Sequence, residues 1–143
     1  MIENITFHNQ LLALIVSHRF NEPGIHFFTP NELSQQLAYM RHPVGKIIPP
    51  HVHNPVIREV QYTQEVLFIK KGKLRVDFYN NQREYLESRL LEAGDVILLV
   101  TGGHGFEVLE EIEMIEVKQG PYVGDADKTR FNGISAEQAK IIN

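Results

Sequence analysis

The chain has 143 residues, of which 43% are hydrophobic, so it is long and apolar enough to form one domain with a proper core. Its formal net charge is −4 and it has no long basic stripe, which argues against binding nucleic acids through their phosphates. The absence of cysteine excludes disulfides and thiolate metal sites, and it fits a reducing compartment. The only early apolar run, residues 11–16, is too short for a signal-peptide core or a membrane span. We therefore expect a soluble, cytoplasmic protein.

The N-terminal region predicts a hairpin. Residues 11–16 are six consecutive apolar positions, and their short length and Ile-Val content favour a buried strand over a helical turn. Residues 21–24 predict a turn, because the proline fixes φ and the glycine can adopt a positive φ. Residues 25–28 then predict a second short strand. We expect these two strands to pair with each other.

Two short helices are predicted outside the central region. Thr29 is a candidate N-cap, with Pro30 at the first helical position and Glu32 completing a capping box, so a helix should begin there and end near residue 37. A strand is expected to follow at residues 38–42. The C-terminal tail, residues 119–143, is expected to dock on the surface, with a final helix over residues 135–142.

The central region, residues 45–118, predicts short strands separated by turns. Residues 46–53 are expected to form a strand near a rim, since Pro49 and Pro50 cannot donate to a sheet ladder. Residues 54–64 predict either an inserted loop or an extra strand segment. Their long polar side chains either line the mouth of a pocket or are simply solvated.

The segment 65–69 predicts a core strand that is apolar on both faces. Because a strand buried on both faces needs a covering layer, we expect a second subunit to provide it and the protein to be a homodimer. A turn is predicted at residues 70–73, and Arg75 and Asp77 are expected to point outward from the next strand. Further strands are predicted at 85–91, 96–100, 106–109 and 114–117, with an acidic turn at 110–113. Roughly nine to eleven short strands indicate an all-β sandwich or barrel.

Three histidines and one glutamate predict a metal site within this region. His51 and His53 would share one face of a strand, because side chains alternate along it. Glu65 would point inward above an apolar floor, and His104 follows the strand that ends at residue 100. Imidazole and carboxylate donors together suit zinc, iron, manganese or nickel. Glu59 is an alternative carboxylate ligand.

These residues resemble the two sequence motifs of the cupin superfamily. The matched positions are Gly45, His51, His53, Glu65 and Gly72 in the first motif, and Gly94, Gly102 and His104 in the second. Eleven residues separate His53 from Glu65, where the family usually has three or four, and Val100 replaces a proline. The resemblance covers about residues 40 to 118. It implies a single cupin domain over residues 1–143, an all-β jelly-roll barrel with one or two short helices.

The resemblance also implies a class of function. It points to one divalent metal ion (Zn, Fe, Mn or Ni) and to an enzyme that acts on a small carbohydrate or carboxylate, of the isomerase, epimerase or dioxygenase type. The chain is similar to small stand-alone cupins of polysaccharide biosynthesis. Arg58, Tyr62 and Gln64 are candidate substrate-binding residues, and Tyr62 and Lys118 are candidate catalytic residues. One alternative is a non-catalytic cupin that binds or senses a sugar. Another is a metal-free epimerase with His53 as base and Tyr62 as acid.

Overall fold

The computed structural model describes all residues from 1 to 143 and is mostly β, with 45% of the chain in strands. The only helical elements are two 3-10 turns, Gly124–Asp127 and Ala136–Gln138, and no helix is long and apolar enough to cross a membrane. The chain divides into two compact units, residues 1–20 with 63–143 and residues 21–62. The eight strands are β1 (Ile2–Phe7), β2 (Gln10–Val16), β3 (Gly24–Phe27), β4 (Ala38–Arg41), β5 (Glu65–Tyr79), β6 (Tyr85–Glu92), β7 (Val96–Leu99) and β8 (Gly103–Lys118).

The larger unit is a six-stranded antiparallel sheet that curls strongly into a half-barrel. Its order is β1-β2-β7-β5-β6, and β8 pairs with β5. The first part of β5 pairs with β7 and the last part with β6, while β8 runs along the other edge of β5. The sheet therefore confirms the predicted all-β class.

One face of the half-barrel carries the hydrophobic core. Alternation along the strands places apolar side chains on this face, where removing them from water stabilises the fold. The buried cluster is formed by Ile5, Leu12, Ala13, Ile15, Leu67, Ile69, Leu74, Val76, Phe78, Leu91, Ile97 and Leu99. The apolar run at residues 11–16 supplies three of these residues, which confirms its prediction as a buried strand.

The predicted turn at residues 70–73 is wrong. β5 continues through it as one 15-residue strand, and its pairing with β8 shifts register three times between Ile69 and Leu74. Gly72 lies within this irregular stretch with a φ of +91°, a torsion that residues with a Cβ avoid. The predicted acidic turn at 110–113 is likewise part of β8. The residues that predicted turns thus lie at register shifts between β5 and β8. Each of these two long strands had been predicted as two short ones.

The predicted N-terminal hairpin is also wrong in its partners. β2 pairs with β1 through a turn at His8 and Asn9, both of which have positive φ. β3 pairs instead with β4, which lies at the predicted position of a strand after residue 37. The prediction missed β1 because its sequence mixes polar and apolar residues without a run of the latter.

Neither predicted helix forms as expected. The Thr29 hydroxyl donates to the Gln36 side chain and accepts from the Leu37 backbone N–H, so these signals stabilise a series of turns. Near the C-terminus, the helix is limited to the three-residue 3-10 turn after Ser135, which does form a capping box with Gln138. No strand forms at residues 46–53, where Pro49 and Pro50 lack the N–H groups that a ladder needs.

Arg75 and Asp77 are buried, although the alternation predicted them on the solvated face. Their side chains are each 6% exposed and form a two-pronged ion pair, with Nε to Oδ1 at 2.8 Å and Nη2 to Oδ2 at 3.0 Å. Arg75 also pairs with Glu107, and the Ser88 hydroxyl donates to Asp77. The C-terminal tail covers this region, since the backbone of Ser88 is hydrogen-bonded to Lys140 and Ile142.

Candidate functional site

Curling of the sheet brings Glu65 and His104 together. Glu65 begins β5 opposite Leu99 of β7, and the chain turns after β7 so that His104 enters β8 close by. Gly102 permits this turn with a φ of +75°. The Glu65 Oε2 lies 4.0 Å from the His104 Nε2, and the side chains are only 16% and 29% exposed. Two of the four predicted metal ligands are therefore neighbours in the structure.

A third titratable residue, Glu116, completes this cluster. It lies opposite Leu67 in the pairing of β5 with β8, and so on the same face as Glu65. Glu116 is close enough to Glu65 to raise the pKa of its carboxyl. Glu116 carries no signal in the sequence, because only the register between β5 and β8 reveals which of the five glutamates of β8 lies on the same face as Glu65. Lys118, a predicted catalytic candidate, lies directly across from Glu65.

The site shifts the protonation of both predicted ligands. Burial is the main cause that raises the pKa of Glu65 from 4.5 to about 7, and the hydrogen bond and negative charge of Glu116 add to it. Lys118 and Lys128 partly oppose this rise. Burial also lowers the pKa of His104, with help from the charge of Lys128 and against the effect of Glu116. Near neutral pH the cluster therefore holds a neutral imidazole beside a carboxyl that is easily protonated or deprotonated.

We expect the stability of the metal-free protein to fall as the pH rises through 7, because of Glu65. Its folded-state pKa lies above its unfolded value, so its contribution is complete below pH 4.5 and is lost as the folded group ionises near pH 7. Glu65→Gln removes this ionisation. The free energy of unfolding of the variant relative to the natural protein should therefore increase by about 2–3 kcal/mol between pH 5 and pH 8. Urea unfolding with a chelator present measures it, and a pH-independent difference would contradict the assignment.

His51 and His53 belong to the smaller unit, residues 21–62. Both side chains are exposed, and their rings meet edge to face with centroids 5.1 Å apart. The Nδ1 of His51 is 3.1 Å from the carbonyl oxygen of Pro49. The predicted strand is absent, but the two imidazoles are close to each other. Glu59, the alternative carboxylate ligand, is also exposed in this segment.

The predicted substrate-binding residues are divided between the two units. Arg58 and Tyr62 are exposed in the smaller unit. Gln64 is buried at the start of the larger unit, and its backbone N–H donates to the side chain of Gln119. Gln64 directly precedes Glu65 in the chain, whereas the side chains of Arg58 and Tyr62 are exposed to solvent.

The donors present fit a divalent metal ion in type, and each of the two units contains one pair of them. Glu65 with His104 is one pair, and His51 with His53 is the other. No group of three or more His, Cys, Asp or Glu residues is arranged to hold a metal ion. Zinc sites typically use three or four protein ligands, so one pair alone supplies too few.

Comparison with protein-family models, curated proteins and solved structures finds no match to this chain. The function therefore has to be inferred from the chain's own residues. Among these, Glu65 and His104 are adjacent, partly buried and shifted in pKa in opposite directions, with the charge of Glu116 nearby, and active sites concentrate such features.

Proposed function

We propose that the protein is a metal-binding cupin and that His51, His53, Glu65 and His104 together hold one divalent ion of zinc, iron, manganese or nickel. The observation that supports it is the 4.0 Å separation of the Glu65 Oε2 and the His104 Nε2. The first cupin-like motif predicted Glu65 as a ligand, and the second predicted His104. The finer cupin architecture, a jelly-roll barrel, is part of this proposal.

The electrostatics of the cluster favour a cation. The negative charges of Glu65 and Glu116 repel each other, and a divalent ion would offset that repulsion and lower the pKa of Glu65. His104 is disposed to be neutral, which is the form that binds metals. When bound, the ion would supply Lewis-acid or, if it is iron, redox chemistry.

The substrate we propose is a small carbohydrate or carboxylate, and the reaction is an isomerisation, an epimerisation or a dioxygenation. Lys118 and Lys128 place positive charge beside Glu65, suited to orienting a carboxylate or hydroxyl oxygen. Arg58, Tyr62 and Gln64 remain candidates for binding the substrate, and Tyr62 or Lys118 for transferring a proton. A cytoplasmic location and a homodimer belong to the same proposal.

A metal-free acid–base enzyme is a second candidate. Glu65 has a pKa of about 7 and lies beside a largely neutral His104, so the two form an acid–base pair matched to neutral pH. This assigns proton transfer to different residues from the predicted His53 and Tyr62. A cupin that binds or senses a sugar without turning it over would need neither a metal nor this pair.

Metal analysis of the purified protein distinguishes these functions. We expect about one ion per chain by mass spectrometry, as for a mononuclear site. The ion should be lost in the His51→Ala/His53→Ala double variant and in His104→Ala, while the control His26→Ala, at a partly buried histidine of β3, should retain it. Wild-type protein that stays metal-free after each candidate ion is supplied would rule out the metal site. Loss only in His104→Ala would exclude His51 and His53 as ligands.

A further inference from the structure

The outer strand β8 exposes an unusual amount of apolar surface. It pairs only with β5, so its other edge has no strand partner in the chain. Six large apolar side chains along it are exposed, with Val108 at 54% and Val117 at 57%. The other members of the set are Phe106, Leu109, Met114 and Ile115. A long, exposed and apolar edge strand is a site where another strand or segment binds, so we expect β8 to be covered in the native protein.

The charge on β8 restricts what can cover it. The strand contains five glutamates and one lysine. Two of the glutamates pair with cations of β5, Glu107 with Arg75 and Glu111 with Lys71. The remaining negative charge disfavours pairing of β8 with another β8, because like charges on neighbouring strands repel. A covering segment should therefore be apolar and carry little or no negative charge.

A segment of the same chain has these properties. Residues 43–62, which we call the arm, contain no helix or strand, and four prolines limit their ability to form either. The arm exposes a second set of large apolar side chains, including Ile57 at 101%; the others are Val44, Ile47, Ile48, Val52, Val56, Val60 and Tyr62. Its charged residues are Lys46, Arg58 and Glu59, which leave it slightly basic.

We propose that the arm of one copy of this chain covers β8 of a second copy, and that the exchange is reciprocal. An extended chain rises about 3.3 Å per residue, so an arm of this length can follow the whole of a 16-residue strand. Reciprocal exchange buries both exposed surfaces of both copies at once, which a foreign partner for β8 alone would not do. Each copy would contribute its arm and its 16-residue β8, which is more than the roughly 20–30 residues per side of a stable interface of about 800 Å² per partner. The inference deepens the homodimer of the proposed function and does not need a bound metal ion. The arm carries His51 and His53, so with this exchange the ligands of the proposed metal site would come from two copies.

Cysteine cross-linking tests this arrangement directly, because the chain has no cysteine of its own. Ile57→Cys and Val108→Cys are prepared as separate single variants at exposed positions of the arm and of β8. They are mixed and treated with a flexible bis-maleimide, and the products are separated by mass. We expect the Ile57–Val108 heterodimer as the main product and a native mass of twice the chain by light scattering. The matched control replaces Ile57→Cys with Glu137→Cys in the exposed C-terminal tail and should give at least tenfold less heterodimer.

A second variant tests the role of charge without cross-linking. Ile57→Glu adds a carboxylate to the arm, which should meet the acidic strand of the partner and weaken the dimer at least tenfold, whereas Val123→Glu in the tail should not. A native protein that is monomeric at all concentrations would overturn the proposal. Dimers that cross-link only through Val108 to Val108 would overturn it in favour of edge-to-edge pairing. A double Ile57→Cys/Val108→Cys chain that cross-links only within itself would show that the arm covers its own strand.

Discussion

Gly72→Ala is expected to lower the free energy of unfolding by about 3–5 kcal/mol. Gly72 has a φ of +91°, which an alanine adopts only with strain. In addition, a Cβ at this position would lie 2.0 Å from the backbone carbonyl oxygen of Glu111, so β5 and β8 would have to move apart at the bulge. Urea unfolding followed by circular dichroism measures the loss.

Gly24→Ala is the matched control for this prediction. Gly24 has nearly the same φ, +93°, but a Cβ there would meet no atom within 4 Å. The control therefore isolates the backbone strain, which we expect to cost about 1 kcal/mol. Equal losses for the two variants would show that the close approach of Gly72 to Glu111 is not a feature of the folded protein.

Gly72 also illustrates where sequence patterns mislead about this fold. Lys, Lys, Gly and Lys in succession are typical of a turn, because they are polar and include a residue that adopts positive φ. The same composition suits a β-bulge on a curled strand, where an extra residue must be accommodated without breaking the sheet. Local sequence cannot separate the two, since the difference lies in whether β8 continues alongside. The register shifts between β5 and β8 are a tertiary property.

The hydrophobic pattern was a better guide to the core than to connectivity. The run at residues 11–16 and the alternation of Leu74, Val76 and Phe78 both predict buried strand faces, and those faces are buried. The predicted partner of the strand at residues 11–16 was wrong, because β1 has no comparable apolar run and because β3 pairs with the strand that follows it. The hydrophobicity of a side chain indicates whether it is buried, whereas the pairing of strands depends on turn geometry and on competition among strands.

Part of the candidate site could be predicted and part could not. The spacing of Glu65 and His104 relative to the glycines of two motifs selected both residues, and the curl of the sheet places them 4.0 Å apart. Glu116 gives no such signal, because it is one of five glutamates in β8. Its position on the same face as Glu65 follows only from the pairing of Leu67 with Glu116. His51 and His53 were predicted as neighbours on a strand and are neighbours in a segment without one, so their part in a metal site stays a prediction.

Asp77→Ala is expected to be about as damaging as the substitution at Gly72. Asp77 and Arg75 are both almost completely buried, and their side chains meet through two hydrogen bonds. Removing the carboxylate leaves the Arg75 guanidinium buried with only the half-exposed Glu107 as a counter-ion. It also removes one of the two hydrogen-bond partners of the Ser88 hydroxyl, the other being the Tyr85 hydroxyl. Breaking a buried ion pair on one side costs about 3–5 kcal/mol, mainly because the remaining charge is uncompensated.

The pair of Arg130 with Asp125 provides the comparison, since its side chains are 74% and 87% exposed. Asp125→Ala should leave the free energy of unfolding nearly unchanged, because water screens an exposed ion pair and solvates the arginine that remains. Replacing both buried partners, as in Arg75→Met/Asp77→Leu, should recover much of the stability lost in Asp77→Ala, since the only charge then left without a partner is that of the half-exposed Glu107, which water can solvate. If the double variant were as unstable as Asp77→Ala alone, the loss would come from packing against Ser88 and the C-terminal tail and not from the unpaired charge.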